Sequence, residues 1–390
     1  MFAAFTALLW ASVVVTARII RNRLYATFVG VMLAIHSLIA FSIFRYVGPF
    51  RIPFIALHAL VFVHFLFLAR PRLRPLWFRL LVSLPASFFV AGTMLALPWA
   101  LISIFVAPPL VFIPYVLAAF GLFQSLTSRT DRVDVVVGDG VVDVLKPHRT
   151  GSFREDRPLR IAQITDPHLG PFMSVKRLTA ICQRAVEQNP DLIFLTGDFL
   201  TMESQRDARD LTTALAPMRA LPGKVFACLG NHDHEALDLV RGALAENGVT
   251  LLVDDETTVD TPAGKVQIVG YDFHFRDRTE RIPAVAAAHP RKPDHLRLVL
   301  LHDPGAFRHL PEGDADLVLS GHTHGGQVGL VSFGAGWTFL RLFGMKIPDH
   351  GLWARGRDRL YVHRGTGHYG FPLRLGVPNE ESVVSVHRMR

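Results

Sequence analysis

Acidic residues are absent from the first third of this chain. Residues 1–130 contain ten arginines, no lysine and neither aspartate nor glutamate; the first acid is Asp131. A disordered segment is excluded as well, because half of the 390 residues are hydrophobic and only 19% are charged. Cysteine is scarce. Cys182 and Cys228 are the two present, which excludes a disulfide framework and a cysteine-based zinc module; both read as small core residues. The formal net charge of +8 would ordinarily point to a polyanion. Ten of the 41 Lys+Arg lie in residues 1–130, however, so the remaining 260 residues carry 31 against 33 acids. The basic excess belongs to the first region alone, and no nucleic-acid partner is expected.

What that region does contain is long apolar runs punctuated by arginine. The runs are 1–17, 24–44, 52–69 and Leu80–Leu126. The last is about twice the ~20 residues that a helix needs to cross the hydrocarbon core. With a turn at Pro98 or Pro108-Pro109 the count becomes five spans, an integral membrane region over residues 1–127. Arginines flank the first connection (Arg18, Arg21, Arg23), the second (Arg45, Arg51) and the third (Arg70, Arg72, Arg74, Arg79), and the fourth has none. Positive loops stay inside, so five spans put the N-terminus outside and the C-terminal domain in the cytoplasm. His36, His58 and His64 fall within spans and read as helix–helix hydrogen bonding, with a head-group or proton role as the competing reading.

Residues 128–158 form a joining segment. Val133–Val137 and Val141–Leu145 flank Gly138-Asp139-Gly140, which predicts a β-hairpin at the edge of the next domain. Residues 159–390 then alternate short apolar strands with amphipathic helices, an α/β pattern. Polar residues gather where the strands end: Asp166-Pro167-His168, Gly197-Asp198, Gly230-Asn231-His232-Asp233, His302, and Gly321-His322-Thr323-His324. Ligands bind at the carboxyl ends of strands in such sheets. One strand-end Asp is usually a helix cap and one His is usually inert, but five successive strand ends with these residues point to metal. Carboxylate, imidazole and amide donors without thiolate favour Mn, Fe, Zn or Ni. Seven donors exceed one tetrahedral site and suit two metals sharing a carboxylate.

The ordered blocks D-x-H, G-D, G-N-H-[DE], H and G-H-x-H resemble the calcineurin-like metallophosphoesterase superfamily. The strings DPHLGPF, LTGDF, CLGNHDH, LSGHTHGGQ and GTGHYGFPLRLG are similar to its membrane-linked bacterial branch of YkuE/YaeI type; Pro167 departs from the apolar residue usual there. The resemblance implies a four-layer α-β-β-α sandwich and two divalent ions, with manganese favoured. Asp166, His168, Asp198 and His324 would hold the first ion, and Asp198, Asn231, His302 and His322 the second. His232 would act as proton donor or steady the phosphoryl oxygens. Asp233 would orient His232 or a ligand histidine, or else cap a helix. The implied reaction is hydrolysis of a phosphodiester or pyrophosphate by a metal-bridging hydroxide. Gly197-Asp198-Phe199-Leu200 lacks the arginine of Ser/Thr protein phosphatases, and Thr201 stands where purple acid phosphatases carry a tyrosine.

Two inserts are candidates for substrate contact. Asp272–Arg297 supplies Arg276, Arg278 and Arg281, with a solvated loop as the competing reading. Phe333–His350 supplies Trp337 and Arg341 among aromatic residues, with core packing as the competing reading. Aromatics beside isolated cations suit a membrane interface. The partners expected are therefore the lipid bilayer and a lipid-linked phosphoester, at a bacterial inner membrane. The alternative is a multispan sensor or transport protein with a regulatory phosphoesterase domain.

Overall fold

The computed structural model describes residues 1–70, 72–138, 140–150, 157–202 and 204–389. The chain forms two compact units.

The first unit is helical. Among the described residues, four helices are long and apolar enough to cross a membrane: α1 (Phe2–Ile20), α2 (Arg23–Phe44), a segment Gly48–Leu68 that contains α3 (Arg51–Leu68), and α4 (Leu76–Leu95). They mark the chain as a membrane protein. Asn22 starts α2, its side chain accepting from the Tyr25 backbone N–H. The expected fourth and fifth spans do not form as a pair of equals. After α4 come a short α5 (Leu97–Ile102) and then α6 (Ile113–Leu126) of 14 residues. A helix of that length rises ~21 Å, less than the ~30 Å hydrocarbon thickness. Pro98, Pro108 and Pro109 break the apolar run, since proline lacks the N–H that continues a helix.

The core of this unit gathers Val29, Leu33, Val61, Phe62 and Phe89. A buried polar chain crosses it. Thr6 of α1 bonds His58 Nε2 of α3 at 3.0 Å, and His58 Nδ1 meets His36 Nε2 of α2 at 3.3 Å. Each helix thereby satisfies a polar group of another, as helix–helix hydrogen bonding in a membrane requires. Two segments from far along the sequence also belong to this unit, Met202–Ser204 and Tyr369–Leu375, which a boundary at residue 127 does not anticipate. Leu373 is buried with Ala91 and Ala118. Gly121 allows this: a Cβ there would lie 2.7 Å from Leu373 Cδ1.

The second unit is built on two sheets. Its strands are β1 (Ser128–Val137), β2 (Val142–Pro147), β3 (Leu159–Ile164), β4 (Leu192–Leu195), β5 (Val225–Ala227), β6 (Thr250–Leu251), β7 (Asp255–Thr261), β8 (Gly264–Gly270), β9 (Leu296–Leu300), β10 (Leu317–Ser320), β11 (Gly351–Gly356), β12 (Asp358–Val362) and β13 (Asn379–Arg388). One sheet has the order β1-β13-β3-β4-β5-β6, the other β2-β11-β12-β10-β9-β8-β7. Leu159, Ile161, Leu192 and Phe194 of the first sheet share one core with Ile268, Leu298, Leu300 and Leu319 of the second. On the far side of the second sheet, Val269, Val299 and Val318 pack with Ile282 and Val285 of α7 (Arg278–Ala288).

The expected hairpin does not form. β1 pairs in parallel with β13, Val135 opposite Val386, whereas β2 pairs antiparallel with β11. Asp139 of the expected turn lies outside the described residues. Tertiary pairing overrides the local Gly-Asp-Gly signal, because separate sheet edges take ten residues of β1 and six of β2.

Opposite charges fasten the two sheets to each other. Arg364, just past β12, pairs with Asp131 of β1 and with Glu380 of β13, the latter at 3.4 Å. Tyr361 of β12 donates its hydroxyl to Glu380. Burial alone would raise the Glu380 carboxyl, but the Arg364 guanidinium holds it down at about 2. This folded value lies below the ordinary ~4.3. The stabilisation is therefore fully present above about pH 4.5 and is lost as pH falls toward 2. Replacing Arg364 by Met strands buried carboxylates and is expected to destabilise by ~3–5 kcal/mol. Unfolding of the detergent-solubilised protein should show this loss at neutral pH. The variant should also lose less further stability than wild type as the solution is acidified.

Candidate metal centre

β3, β4 and β5 run parallel, as do β9 and β10. The turns that leave these five strands carry the seven candidate metal ligands together with His232 and Asp233. Their backbone is unusual. Asp166, His168, Asp198, His322 and His324 have φ of 50°, 45°, 58°, 67° and 52°, so five of the seven candidate ligands are left-handed. Each such residue costs about 1–2 kcal/mol and persists only where its surroundings over-determine it.

Those surroundings can be named. Asp166 accepts from the His322 backbone N–H at 3.0 Å and from the Thr165 hydroxyl at 2.8 Å. Asp198 Oδ1 accepts from the His232 N–H at 2.8 Å. Asp233, fully buried, accepts from the N–H groups of Asp198, Phe199 and Gly230, each at 2.8 Å. Its carboxylate therefore braces two ligand-bearing turns and is not the partner of the His232 ring. Glu235 takes that place, meeting His232 Nδ1 at 2.9 Å. The roles expected for Asp233 are orienting His232 or a ligand histidine, or capping a helix; its hydrogen bonds go instead to these three backbone N–H groups. Glu235 was missed, although its i,i+3 spacing from His232 was a usable signal.

The imidazoles are aimed by second partners. His302 Nδ1 donates to the Thr196 carbonyl at 2.6 Å, and His168 Nδ1 faces the Leu200 carbonyl at 3.4 Å. Their Nε2 atoms face the carboxylates. His302 Nε2 lies 3.2 Å and His168 Nε2 3.6 Å from Asp198 Oδ2, and His324 Nε2 lies 3.5 Å from Asp166 Oδ1. Two groups result, Asp166/His168/His324 and Asp198/His302/His322, each with donor atoms within 4.8 Å of one another.

These residues fit a pair of divalent cations. The Nε2 atoms of His168 and His324 are 3.2 Å apart, a separation suited to two lone pairs converging on one ion. Asn231 Oδ1 is buried without a hydrogen-bond partner, a costly state for an amide oxygen unless it is a ligand. Electrostatics agrees. Burial opposes ionisation of Asp198, yet His302 and His168 hold its carboxyl well below the usual range. Burial also opposes charge on His302, but Asp198 raises it to about 10. Two buried carboxylates draw positive charge into the site. For His232, burial opposes the charged ring, while Glu235 and Asp198 outweigh it and raise its pKa.

The candidate substrate arginines divide. Arg278 is committed to Asp303 at 2.5 Å and Arg281 to Asp254 at 2.5 Å; both line a hollow that also includes His302. Arg276 is exposed. Arg341 is held by Asp349 at 2.6 Å and lies over Trp353 at 5.2 Å, so it braces its own insert. Trp337 is 63% exposed, with Phe333, Leu342 and Phe343 similarly bare; core packing does not account for this insert. A further cluster, unread in the sequence, joins His234 to Asp272 at 2.9 Å and His274 to Asp272 at 3.5 Å.

Glycine is required where carboxylates approach the backbone. A Cβ on Gly230 would lie 2.3 Å from Asp198 Oδ1, and one on Gly321 would lie 2.1 Å from Asp166 Oδ2. Gly230→Ala is expected to displace Asp198 and weaken metal affinity at least ~10-fold. Metal analysis after dialysis, beside a circular-dichroism spectrum like that of wild type, checks this.

Residues 159–326 match the model of the calcineurin-like phosphoesterase family. Phosphodiesterase YaeI of Escherichia coli (strain K12) is 31% identical over 245 residues, which cover 61% of this chain and 86% of YaeI. The uncharacterized metallophosphoesterase YkuE of Bacillus subtilis (strain 168) is 29% identical, covering 62% and 82%. A transmembrane protein with metallophosphoesterase domain from Danio rerio is 28% identical, covering 57% and 52%. Among solved structures, phosphopantetheinyl hydrolase PptH of Mycobacterium tuberculosis aligns with 55% of this chain and 91% of its own, at a TM-score of 0.33 and 14% identity. All five motif-bearing turns lie within the matched residues, and the chain belongs to the calcineurin-like phosphoesterase family.

Proposed function

We propose that this protein is a membrane-anchored, dinuclear-metal phosphoesterase acting on a phosphodiester or pyrophosphate of a lipid-linked substrate. The observation that carries the hydrolytic reading is the pair of buried donor groups around Asp198, with Asn231 Oδ1 left for a ligand. Asp166, His168, Asp198 and His324 would hold one ion and Asp198, Asn231, His302 and His322 the other. Divalent ions, of which manganese is the favoured one, supply Lewis acidity and a water acidic enough to act near neutral pH. The chain's own residues orient and protonate. His232 is held by Glu235 on one ring nitrogen, and its ring lies 5.4 Å from that of His168. It delivers a proton to the leaving oxygen or steadies the phosphoryl group as charge develops. Asp233 keeps the turns rigid.

The diester reading is supported by the name of the Escherichia coli relative, a phosphodiesterase. The lipid-linked reading is supported by the helical unit and by the exposed apolar side chains of Phe333, Trp337, Leu342 and Phe343, which suit contact with the bilayer. We further assign the second unit to the cytoplasmic side of a bacterial inner membrane. The arginine pattern supports this, and it requires Ile113–Leu126 to complete a fifth crossing.

Purified full-length protein is expected to bind about two divalent ions and to hydrolyse an aryl phosphodiester. Asp198→Asn should lose both properties. His232→Ala should keep the metal and lose ~10²–10³ in kcat. Protein free of metal and inactive after reconstitution with manganese, iron, zinc or nickel would sink the hydrolytic reading. In a screen of membrane-lipid extracts, a lipid consumed by wild type and spared by Asp198→Asn supports the lipid reading; turnover confined to soluble diesters overturns it. A fluorescent reporter fused after Arg390 should glow, and alkaline phosphatase fused there should be silent. The reverse result overturns the orientation.

A further inference from the structure

The helical unit contains a partly open cavity of about 450 Å³ whose lining includes Tyr46, Phe50, Leu57, Phe88, Phe112 and Tyr115. No charged side chain lines it. The hydroxyl of Tyr115 is already engaged with Thr93 at 3.2 Å. Water would find few partners on such walls, and the surrounding helices are those suited to hydrocarbon. The surroundings of one lining stretch differ in character. Residues Tyr46–Phe50 line the cavity at the turn between α2 and α3, and exposed Arg45 and Arg51 bracket that turn. Arg45 gives one N–H to the Ser103 carbonyl at 2.7 Å, and its guanidinium lies 4.7 Å over Tyr46. Arg51 lies 5.9 Å over Phe44. Residues 1–130 offer no carboxylate to neutralise either arginine. An apolar hollow whose lining turn is bracketed by two cations is complementary to one kind of molecule, an apolar chain ending in an anion.

We propose that this cavity is a lipid site, in which an acyl chain of an anionic phospholipid lies against Phe88 and Phe112 while its phosphate group faces Arg45 and Arg51. The site is separate from the metal centre and stands whether or not the hydrolytic reading holds. The test is native mass spectrometry of the full chain released from nanodiscs containing equal amounts of phosphatidylglycerol and phosphatidylcholine with identical acyl chains. Wild type is expected to retain phosphatidylglycerol about tenfold in preference. Arg45→Gln/Arg51→Gln should abolish that preference. Leu57→Trp, which fills the cavity, should lower retention of both lipids. Equal retention of the two lipids by wild type, or an unchanged preference in the double variant, overturns the proposal. So does undiminished retention in Leu57→Trp. Thermal unfolding of each variant within a few degrees of wild type separates loss of the site from loss of the fold.

Discussion

Two carboxylates, Asp166 and Asp198, are buried to 0% and 2% exposure at the ends of neighbouring strands, and most of the second unit's unusual geometry answers to that constraint. Buried charge is tolerated only when it is paired and hydrogen-bonded. Backbone N–H groups of His322 and His232 supply part of the compensation. Histidine nitrogens supply more, and divalent cations would complete it. The left-handed backbone at five ligand positions follows, because a short turn must both receive a carboxylate and present an imidazole. Asp233 is a consequence of the same constraint: its carboxylate ties the turn after β4 to the turn after β5 through three N–H groups.

The gathering of these candidate ligands on one rim was legible in the sequence because its rule is topological. Strand ends in a parallel sheet share a rim, so Asp166, Asp198 and Asn231 could be assigned together without coordinates. The cluster that joins His234 to Asp272 was not legible in that way, because its pairing is set by side-chain reach across loops, which spacing does not encode. Arg341 shows the opposite failure. Its neighbours in sequence are aromatic, which suggested a membrane contact, yet Asp349 eight residues on claims the guanidinium. A charged side chain is read correctly from sequence only when its counter-ion is also read.

The joining segment fails for a different reason. Val133–Val137 and Val141–Leu145 carry a genuine strand signal, and both become strands. Their partners are decided by which sheet edge is vacant, and β13, the partner of β1, is formed by the last residues of the second unit. Local turn chemistry proposes a hairpin, and distant chain completes the sheet instead. The helical unit repeats this lesson with Leu373, whose burial between Ala91 and Ala118 depends on Gly121. No hydropathy window over residues 1–127 contains it.

Charge is partitioned by what each unit must exclude. In the helical unit a carboxylate within a span would be costly, and acids are missing even from its connections. Its arginines act from the helix ends, where long side chains reach a polar interface. In the second unit acids exceed bases slightly, yet the centre that would bind a phosphoester is dominated by histidine and aspartate. Attraction for a phosphate there cannot come from a general basic field. On the function proposed it would come from cations held by Asp166 and Asp198, so a basic pI misreads this chain and five short turns do not.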